Sequence, residues 1–174
     1  MNLSENSFVA VDLETTGTDA NRDSIIEIGA VKYENGSAVD SYSTYVRCDQ
    51  KQLSPEVASL TGITYEQLQN APSITAALNE LYAFVGDSTL VAYNFKFVSS
   101  FLRNWGFWCN LDFDGIIDGG IDVSAAAKEK LVGAVKNYKI RTVAEFLNVG
   151  YPDCPHSADD AEACARIAFA LEKI

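Results

Sequence analysis

The chain has 174 residues, 48% of them hydrophobic and 21% charged, which is the composition of a globular protein rather than a disordered or fibrous one. Its formal net charge of −11 argues against a broad basic surface for duplex DNA or an anionic membrane. No apolar run approaches the ~20 residues that cross a bilayer, and Met1–Asn6 has no signal-peptide pattern. The cysteines form no Cys-x-x-Cys pair, which favours free thiols. We therefore expect one cytoplasmic domain over residues 1–174, with no membrane partner.

The first predicted strand carries two acids whose spacing is informative. The apolar run Phe8–Val11 predicts a strand that is covered on both faces, and Asp12 and Glu14 follow it. Because alternate side chains of a strand share a face, both carboxylates point one way and Leu13 the other. Two acids at a buried strand end repel each other unless a cation lies between them. A hard divalent cation is the simplest occupant, and acids that merely face water are the alternative.

Two more strands are predicted before the first helix. After a polar loop, the Ile- and Val-rich segment Ser24–Tyr33 has the composition of a strand. Asn35-Gly36 is a strong signal for a two-residue type I′ turn, and Ala38–Val46 is its returning partner. The first three strands should therefore form an antiparallel meander.

The rest of the chain alternates predicted helices and short strands. Ser54 followed by Pro55 is typical of a helix start, and Thr64 with Gln67 has the spacing of a capping box. Further helices are predicted at 73–85, 94–105, 124–131, 141–148 and 159–173, and strands at 89–93 and about 115–123. This order predicts an α/β fold, a mixed sheet of a three-strand meander plus parallel strands, with helices on both faces.

Three separated stretches together resemble one family of nucleases. They are the run Asp12–Gly17 (Asp-Leu-Glu-Thr-Thr-Gly), the run Tyr93–Val98 and the run His156–Ala161. With Ile25–Val31 between them, they resemble the DEDDh 3′–5′ exonucleases, the family of the proofreading subunit of bacterial DNA polymerase III. The resemblance covers nearly the full length and implies a ribonuclease-H-like fold.

The resemblance also implies a chemistry. Members of the family hydrolyse phosphodiester bonds at the 3′ end of single-stranded DNA or RNA, with two Mg²⁺ or Mn²⁺ ions about 4 Å apart. Carried over to this chain, Asp12 would bridge the ions, and Glu14 and Asp160 would help to hold the first. His156 would be the general base, because an imidazole can accept a proton near neutral pH.

Substrate contacts and partners follow from the same resemblance. Thr15, Thr16 and Asn94 lie where the family contacts its substrate, although Asn94 also suits a helix cap. The product would be a nucleoside monophosphate. A DNA polymerase subunit is a candidate partner, and the preference for DNA or RNA stays open.

The chain departs from the family pattern at the second motif. Val98 stands where the family has its fourth carboxylate, and Tyr93 stands where the family usually has histidine. Because valine cannot bind a cation, the second metal site should be weakened. Val98 instead suits the apolar stripe of a helix. Asp118 and Asp122 are candidates for a replacement carboxylate.

The spacing in the third motif also departs from the pattern. His156 lies four residues before Asp160, where the family usually has five. Asp159 is the alternative ligand, although the Asp-Ala register favours Asp160. A shift of one residue moves a group by about 3.5 Å, and misplacement of that order can cost about 10²-fold in rate.

Two functions therefore stay open, an exonuclease with a weakened second metal site and an inactive exonuclease-like module that binds nucleic acid or protein. Lys96 is either a phosphate contact or a solvated lysine. Base stacking is an alternative to core packing for Phe95, Trp105, Phe107 and Trp108. For most of these aromatics, we expect a helical core position or a buried aromatic hairpin.

Overall fold

The computed structural model describes residues 2–49, 53–153 and 155–174. Its five strands are β1 (Phe8–Thr15), β2 (Ile25–Glu34), β3 (Ser37–Tyr45), β4 (Thr89–Ala92) and β5 (Ile121–Asp122). Its helices are α1 (Pro55–Thr61), α2 (Tyr65–Gln69), α3 (Ile74–Val85), α4 (Phe95–Cys109), α5 (Asp114–Ile117), α6 (Val123–Lys130), α7 (Ile140–Leu147) and α8 (Ser157–Glu172). A 3₁₀ turn at Leu3–Glu5 precedes β1.

The strands form one mixed sheet in the order β3-β2-β1-β4-β5. β1 and β2 pair antiparallel, as do β2 and β3, whereas β4 is parallel to both β1 and β5. At the hairpin, Asn35 and Gly36 have φ values of 49° and 76°, the left-handed conformation that a type I′ turn requires at both positions. The predicted meander with added parallel strands is confirmed.

Helices cover both faces of the sheet, as the sequence predicted. On one face, Val11 and Leu13 of β1 belong to a core that also contains residues of α3 and α4. On the other face, Phe8 and Ala10 belong to a core with residues of α6, α7 and α8. The ring of Phe8 stacks on Tyr33 with centroids 5.0 Å apart. The alternation along β1 therefore directs Asp12 and Glu14 to the α8 face.

A glycine in β2 lets the start of α8 lie directly on the sheet. A Cβ atom at Gly29 would lie 2.1 Å from the backbone nitrogen of Ala158 and 2.1 Å from the carbonyl carbon of Ser157. Gly29 is paired with Asp12 across the sheet. The close approach therefore brings the first turn of α8 next to the acidic end of β1.

Replacing Gly29 with alanine is expected to reduce the free energy of unfolding by about 1–3 kcal/mol, because the added methyl group has to displace helix backbone. Gly115→Ala is the matched control, since nothing lies within 4 Å of a Cβ at that position. Urea unfolding of both variants measures the effect. An unchanged midpoint for Gly29→Ala would show that α8 is not held against β2 as described.

The predicted end of α4 is wrong. The helix continues past Trp105 to Cys109, and Phe107 and Trp108 lie on its surface with 74% and 71% exposure instead of forming a buried hairpin. Gly106 lies inside the helix, where its lack of a side chain makes room for Phe113. A Cβ atom there would lie 2.6 Å from the ring of Phe113.

The predicted strand at 115–123 is also wrong in extent. Its first part is the short helix α5, and only Ile121–Asp122 pairs as β5. Gly119 has a φ of 84° and breaks the segment between the two. Gly120 then lies against the ring of Phe95, where a Cβ would be 2.0 Å from Cζ.

Two smaller predictions concern cysteines and membranes. Cys48, Cys109 and Cys164 are free thiols, as expected, whereas Cys154 lies outside the described residues. None of the helices within the described ranges combines the length and apolar character that a membrane span needs.

Candidate active site

Three carboxylates from two distant parts of the sequence converge at the end of β1. One oxygen each from Asp12, Glu14 and Asp160 lies within 4.8 Å of the others. Asp12 and Glu14 share the face that α8 covers, and Asp160 lies in the first turn of α8. Asp159 is not in this cluster. Oxygen donors grouped in this way are the ligands that Mg²⁺ and Mn²⁺ prefer.

The three acids have raised pKa values because they are removed from water and lie close together. Burial raises the pKa of Asp12 well above its ordinary range, and the charges of Asp160 and Glu14 add to the effect. The pKa of Glu14 rises to about 7, first through burial and then through Asp160. Burial also raises the pKa of Asp160, although its hydrogen bond from Tyr151 opposes this. The cluster thus fits a cation, whose charge would favour the ionised carboxylates.

Without divalent metal, the free energy of unfolding is expected to fall as the pH rises from about 4.5 to about 7. The pKa of Glu14 is raised from 4.5 to about 7 in the fold, so the folded state binds more protons across this window. The stabilisation that Glu14 contributes is fully present below pH 4.5 and is lost above pH 7. The raised pKa of Asp12 also makes the free energy of unfolding fall as the pH rises.

Thermal unfolding in a chelating buffer, followed across this pH range, measures the predicted decline. Adding Mn²⁺ at pH 7.5 is expected to raise the melting temperature, because the ion binds the folded cluster in preference to the unfolded chain. A melting temperature that Mn²⁺ leaves unchanged at pH 7.5 would contradict a cation site here.

A fourth acid, Glu27, lies beside the cluster, and the sequence reasoning missed it. Glu27 is opposite Glu14 in the sheet and only 3% exposed. Its Oε2 accepts hydrogen bonds from the backbone nitrogen and hydroxyl of Ser157, at 3.2 and 3.1 Å. Its Oε1 lies 3.3 Å from Nδ1 of His156. The available signal was a lone acid in the otherwise apolar run Ile25–Val31.

His156 is the residue that caps the start of α8. Its backbone nitrogen donates to Oδ2 of Asp159 at 2.9 Å, so that carboxylate is used by the cap. Its ring meets Tyr45 edge-on, with centroids 6.5 Å apart, and its side chain is 46% exposed. A cavity of about 510 Å³ opens beside His156, between β3 and the end of α2.

Two further residues near the cluster were not predicted. The hydroxyl of Tyr151 donates to Oδ1 of Asp160, which fixes that carboxylate from the loop before α8. The guanidinium of Arg141 lies over the ring of Tyr151, 4.6 Å from its centroid. The sequence gave little indication that Tyr151 belongs to the site, because an aromatic residue in a loop can have many structural roles.

The predicted substrate-contacting residues make local structural bonds. Oγ1 of Thr15 donates to the carbonyl of Gly17, and Oγ1 of Thr16 accepts from the backbone nitrogen of Ser24 at 2.9 Å. Oδ1 of Asn94 accepts from the backbone nitrogen of Phe97 at 3.4 Å and caps α4. Substrate contact by these three residues stays a prediction.

The second motif contributes no carboxylate. Val98 is 0% exposed and lies in the apolar core with Leu13 and Phe101. The hydroxyl of Tyr93 donates to the carbonyl of Tyr138 at 2.8 Å. Lys96 is exposed.

The two candidate replacement acids lie elsewhere. Asp122 caps α6, where its Oδ1 accepts from Ser124 and Ala125. Asp118 ends α5. Among the described residues, neither belongs to the group of acids within ligand distance of one another.

The comparisons with known proteins agree with this geometry. The exonuclease family model named RNase_T matches residues 9–168. The chain therefore belongs to this exonuclease family, as its motifs predicted.

Among its relatives are the PolC-type DNA polymerases III. The chain is 40% identical to that of Thermotoga maritima over 174 aligned residues, and 30% identical to that of Bacillus subtilis over 171. These alignments cover 95% and 98% of the chain but only 12% of each polymerase, so the chain spans about one eighth of the length of these relatives. The product-bound structure of exonuclease I superimposes with a TM-score of 0.81, covering 97% of this chain and 44% of that one at 16% identity, which confirms the ribonuclease-H-like fold.

Proposed function

We propose that this chain is a metal-dependent 3′–5′ exonuclease that hydrolyses the terminal phosphodiester bond of single-stranded DNA or RNA. The convergence of Asp12, Glu14 and Asp160 within 4.8 Å of one another is the observation that carries the proposal. A group of buried acids with raised pKa values is unfavourable for the fold on its own, which supports a role in holding a cation.

Asp12, Glu14 and Asp160 are the residues that would hold Mg²⁺ or Mn²⁺. The ion would place positive charge beside the scissile phosphate, whose negative charge increases as water attacks. Val98 takes the place of the carboxylate that would complete a second site, so we propose that the second ion binds weakly. Tyr151 keeps the carboxylate of Asp160 oriented toward the cluster.

His156 is the proposed acceptor of the proton from the attacking water. It lies at the start of the helix that carries Asp160, and it is sufficiently exposed to meet substrate. The cavity beside it offers space for the terminal nucleotide. We propose that Thr15, Thr16 and Asn94 also contact the substrate.

The net charge of −11 favours a short single-stranded end over a long duplex. Because its relatives are PolC-type DNA polymerases III, we also propose that the chain acts together with a DNA polymerase. The expected product is a nucleoside monophosphate.

An inactive binding module is the second candidate, and the burial of Val98 is the observation that favours it. A fully buried valine in the apolar core removes one of the four acids on which the family relies. Such a chain would bind a 3′ end or a protein without cleaving it.

An oligonucleotide assay separates these functions. A single-stranded 20-mer with a 5′ label is incubated with the chain and Mn²⁺, beside a copy whose 3′ end is blocked and a sample with chelator. The enzyme is expected to shorten only the free-ended strand, and only with metal, releasing nucleoside monophosphates. Binding of the strand without any shortening would support the second candidate.

A further inference from the structure

We infer that Glu27 is a positioning residue that holds His156 in one orientation and one tautomer for proton transfer. The kinetic part of this inference rests on the proposed function, whereas its structural part does not. Glu27 is not one of the three acids whose oxygens lie within 4.8 Å of one another. We infer its role from its contacts with His156 and Ser157.

The two carboxylate oxygens of Glu27 contact different residues. Oε2 accepts both the backbone nitrogen and the hydroxyl of Ser157, which fixes the carboxylate against the start of α8. Oε1 is then held 3.3 Å from Nδ1 of His156. Because Ser157 is completely buried and Glu27 nearly so, the hydrogen bonds between them are shielded from water.

These contacts argue against Glu27 as a substitute for the missing fourth ligand. A carboxylate that binds a cation needs an oxygen directed at the ion, and both oxygens of Glu27 already face α8. Moving either oxygen to a metal would leave the buried Ser157 donors or the imidazole without their partner. Glu27 therefore acts through His156.

The position of Glu27 selects the tautomer of the ring. A carboxylate next to Nδ1 favours the neutral form with its proton on Nδ1, which leaves the lone pair of Nε2 available to take a proton from water. The groups that face His156 are Glu27 on β2, Tyr45 on β3, Asp159 on α8 and Glu14 on β1. The capping box of α8 also brings the backbone nitrogen of Asp159 to the His156 side chain as a donor, which favours the opposite tautomer. Glu27 is the charged group within ion-pair distance of Nδ1, and we expect its carboxylate to outweigh this neutral donor.

The test uses the single histidine of the chain, whose imidazole resonances are therefore unambiguous. In ¹⁵N-labelled protein above pH 8, the ring nitrogens report which of them carries the proton. The native chain is expected to show the Nδ1–H form, and Glu27→Gln a population shifted at least about threefold toward Nε2–H. Glu162→Gln is the control, because that exposed carboxylate on α8 pairs with Arg166 and should leave the tautomer unchanged.

A native Nε2–H form would overturn the inference, even if Glu27→Gln does not fold. An unchanged tautomer in a folded Glu27→Gln protein would also overturn it. These readouts need no nuclease activity, so an inactive native chain would count against the proposed function and not against this inference.

In an active chain, Glu27→Gln is expected to lower kcat about 10²-fold while KM changes less than about threefold. An increase in KM with kcat unchanged would contradict the proposed positioning role of Glu27. Glu162→Gln is expected to leave both constants unchanged.

Discussion

Replacing Asp12 with asparagine is expected to reduce the release of nucleoside monophosphates by at least about 10³-fold. Asparagine has nearly the same shape but no charge, so it removes a central ligand of the cluster while preserving the packing. Loss of charge stabilisation worth several kcal/mol corresponds to a rate loss of this size. Initial rates with Mn²⁺ and a single-stranded oligonucleotide measure it.

The matched control for this variant is Asp40→Asn. Asp40 is an exposed acid on β3 whose Oδ1 accepts from the backbone nitrogen of Ser41. Its replacement changes the net charge by the same amount and should leave the rate unchanged. Because Asp12 has a raised pKa, Asp12→Asn should also melt at a higher temperature than the native chain in chelator at pH 7.5. Cleavage that survives Asp12→Asn would assign the activity to another site.

Replacing Val98 with aspartate is expected to raise the rate by about 10²-fold. Val98 lies near the start of α4, which follows a strand parallel to β1, and it packs in the apolar core that contains Leu13 of β1. A carboxylate there would restore the fourth acid of the family pattern, and with it a second ion that stabilises the departing oxygen. The same assay measures the gain.

This substitution should have a cost in stability. Val98 is fully buried among apolar side chains, and an unpaired buried carboxylate destabilises a fold by several kcal/mol. We expect the melting temperature of Val98→Asp to fall by about 5–10 °C in chelator and to recover with Mn²⁺. Val98→Asn is the control, because it introduces a polar group of the same size that is a much weaker ligand. Equal rates for Val98→Asp and Val98→Asn would contradict a missing metal ligand.

Local signals explain why most of the fold was predictable from sequence. Ser54, Ser73 and Asn94 each cap the helix that was assigned to them, and Asn35-Gly36 makes the predicted turn. The errors arose where tertiary packing gives a glycine a different use. Gly106 lies inside α4, where its lack of a side chain accommodates Phe113, and no local pattern contains that information.

In the candidate site, too, local patterns predicted some of the residues, whereas others depend on tertiary contacts. Asp12 and Glu14 were assigned to one face by the alternation of a strand, and the structure places them there. Glu27 was missed because its contacts with His156 and Ser157 join residues 129 and 130 positions apart in the sequence. Tyr151 was missed for a similar reason, because a single hydrogen bond to Asp160 is what connects it to the site.

The anomalous scattering of Mn²⁺ in a crystal of the native chain tests the central claim most directly. We predict one strong peak coordinated by Asp12, Glu14 and Asp160, and at most a weak second peak beside it. Absence of a peak among these three carboxylates, at millimolar Mn²⁺, would contradict the metal site on which the proposed exonuclease activity depends.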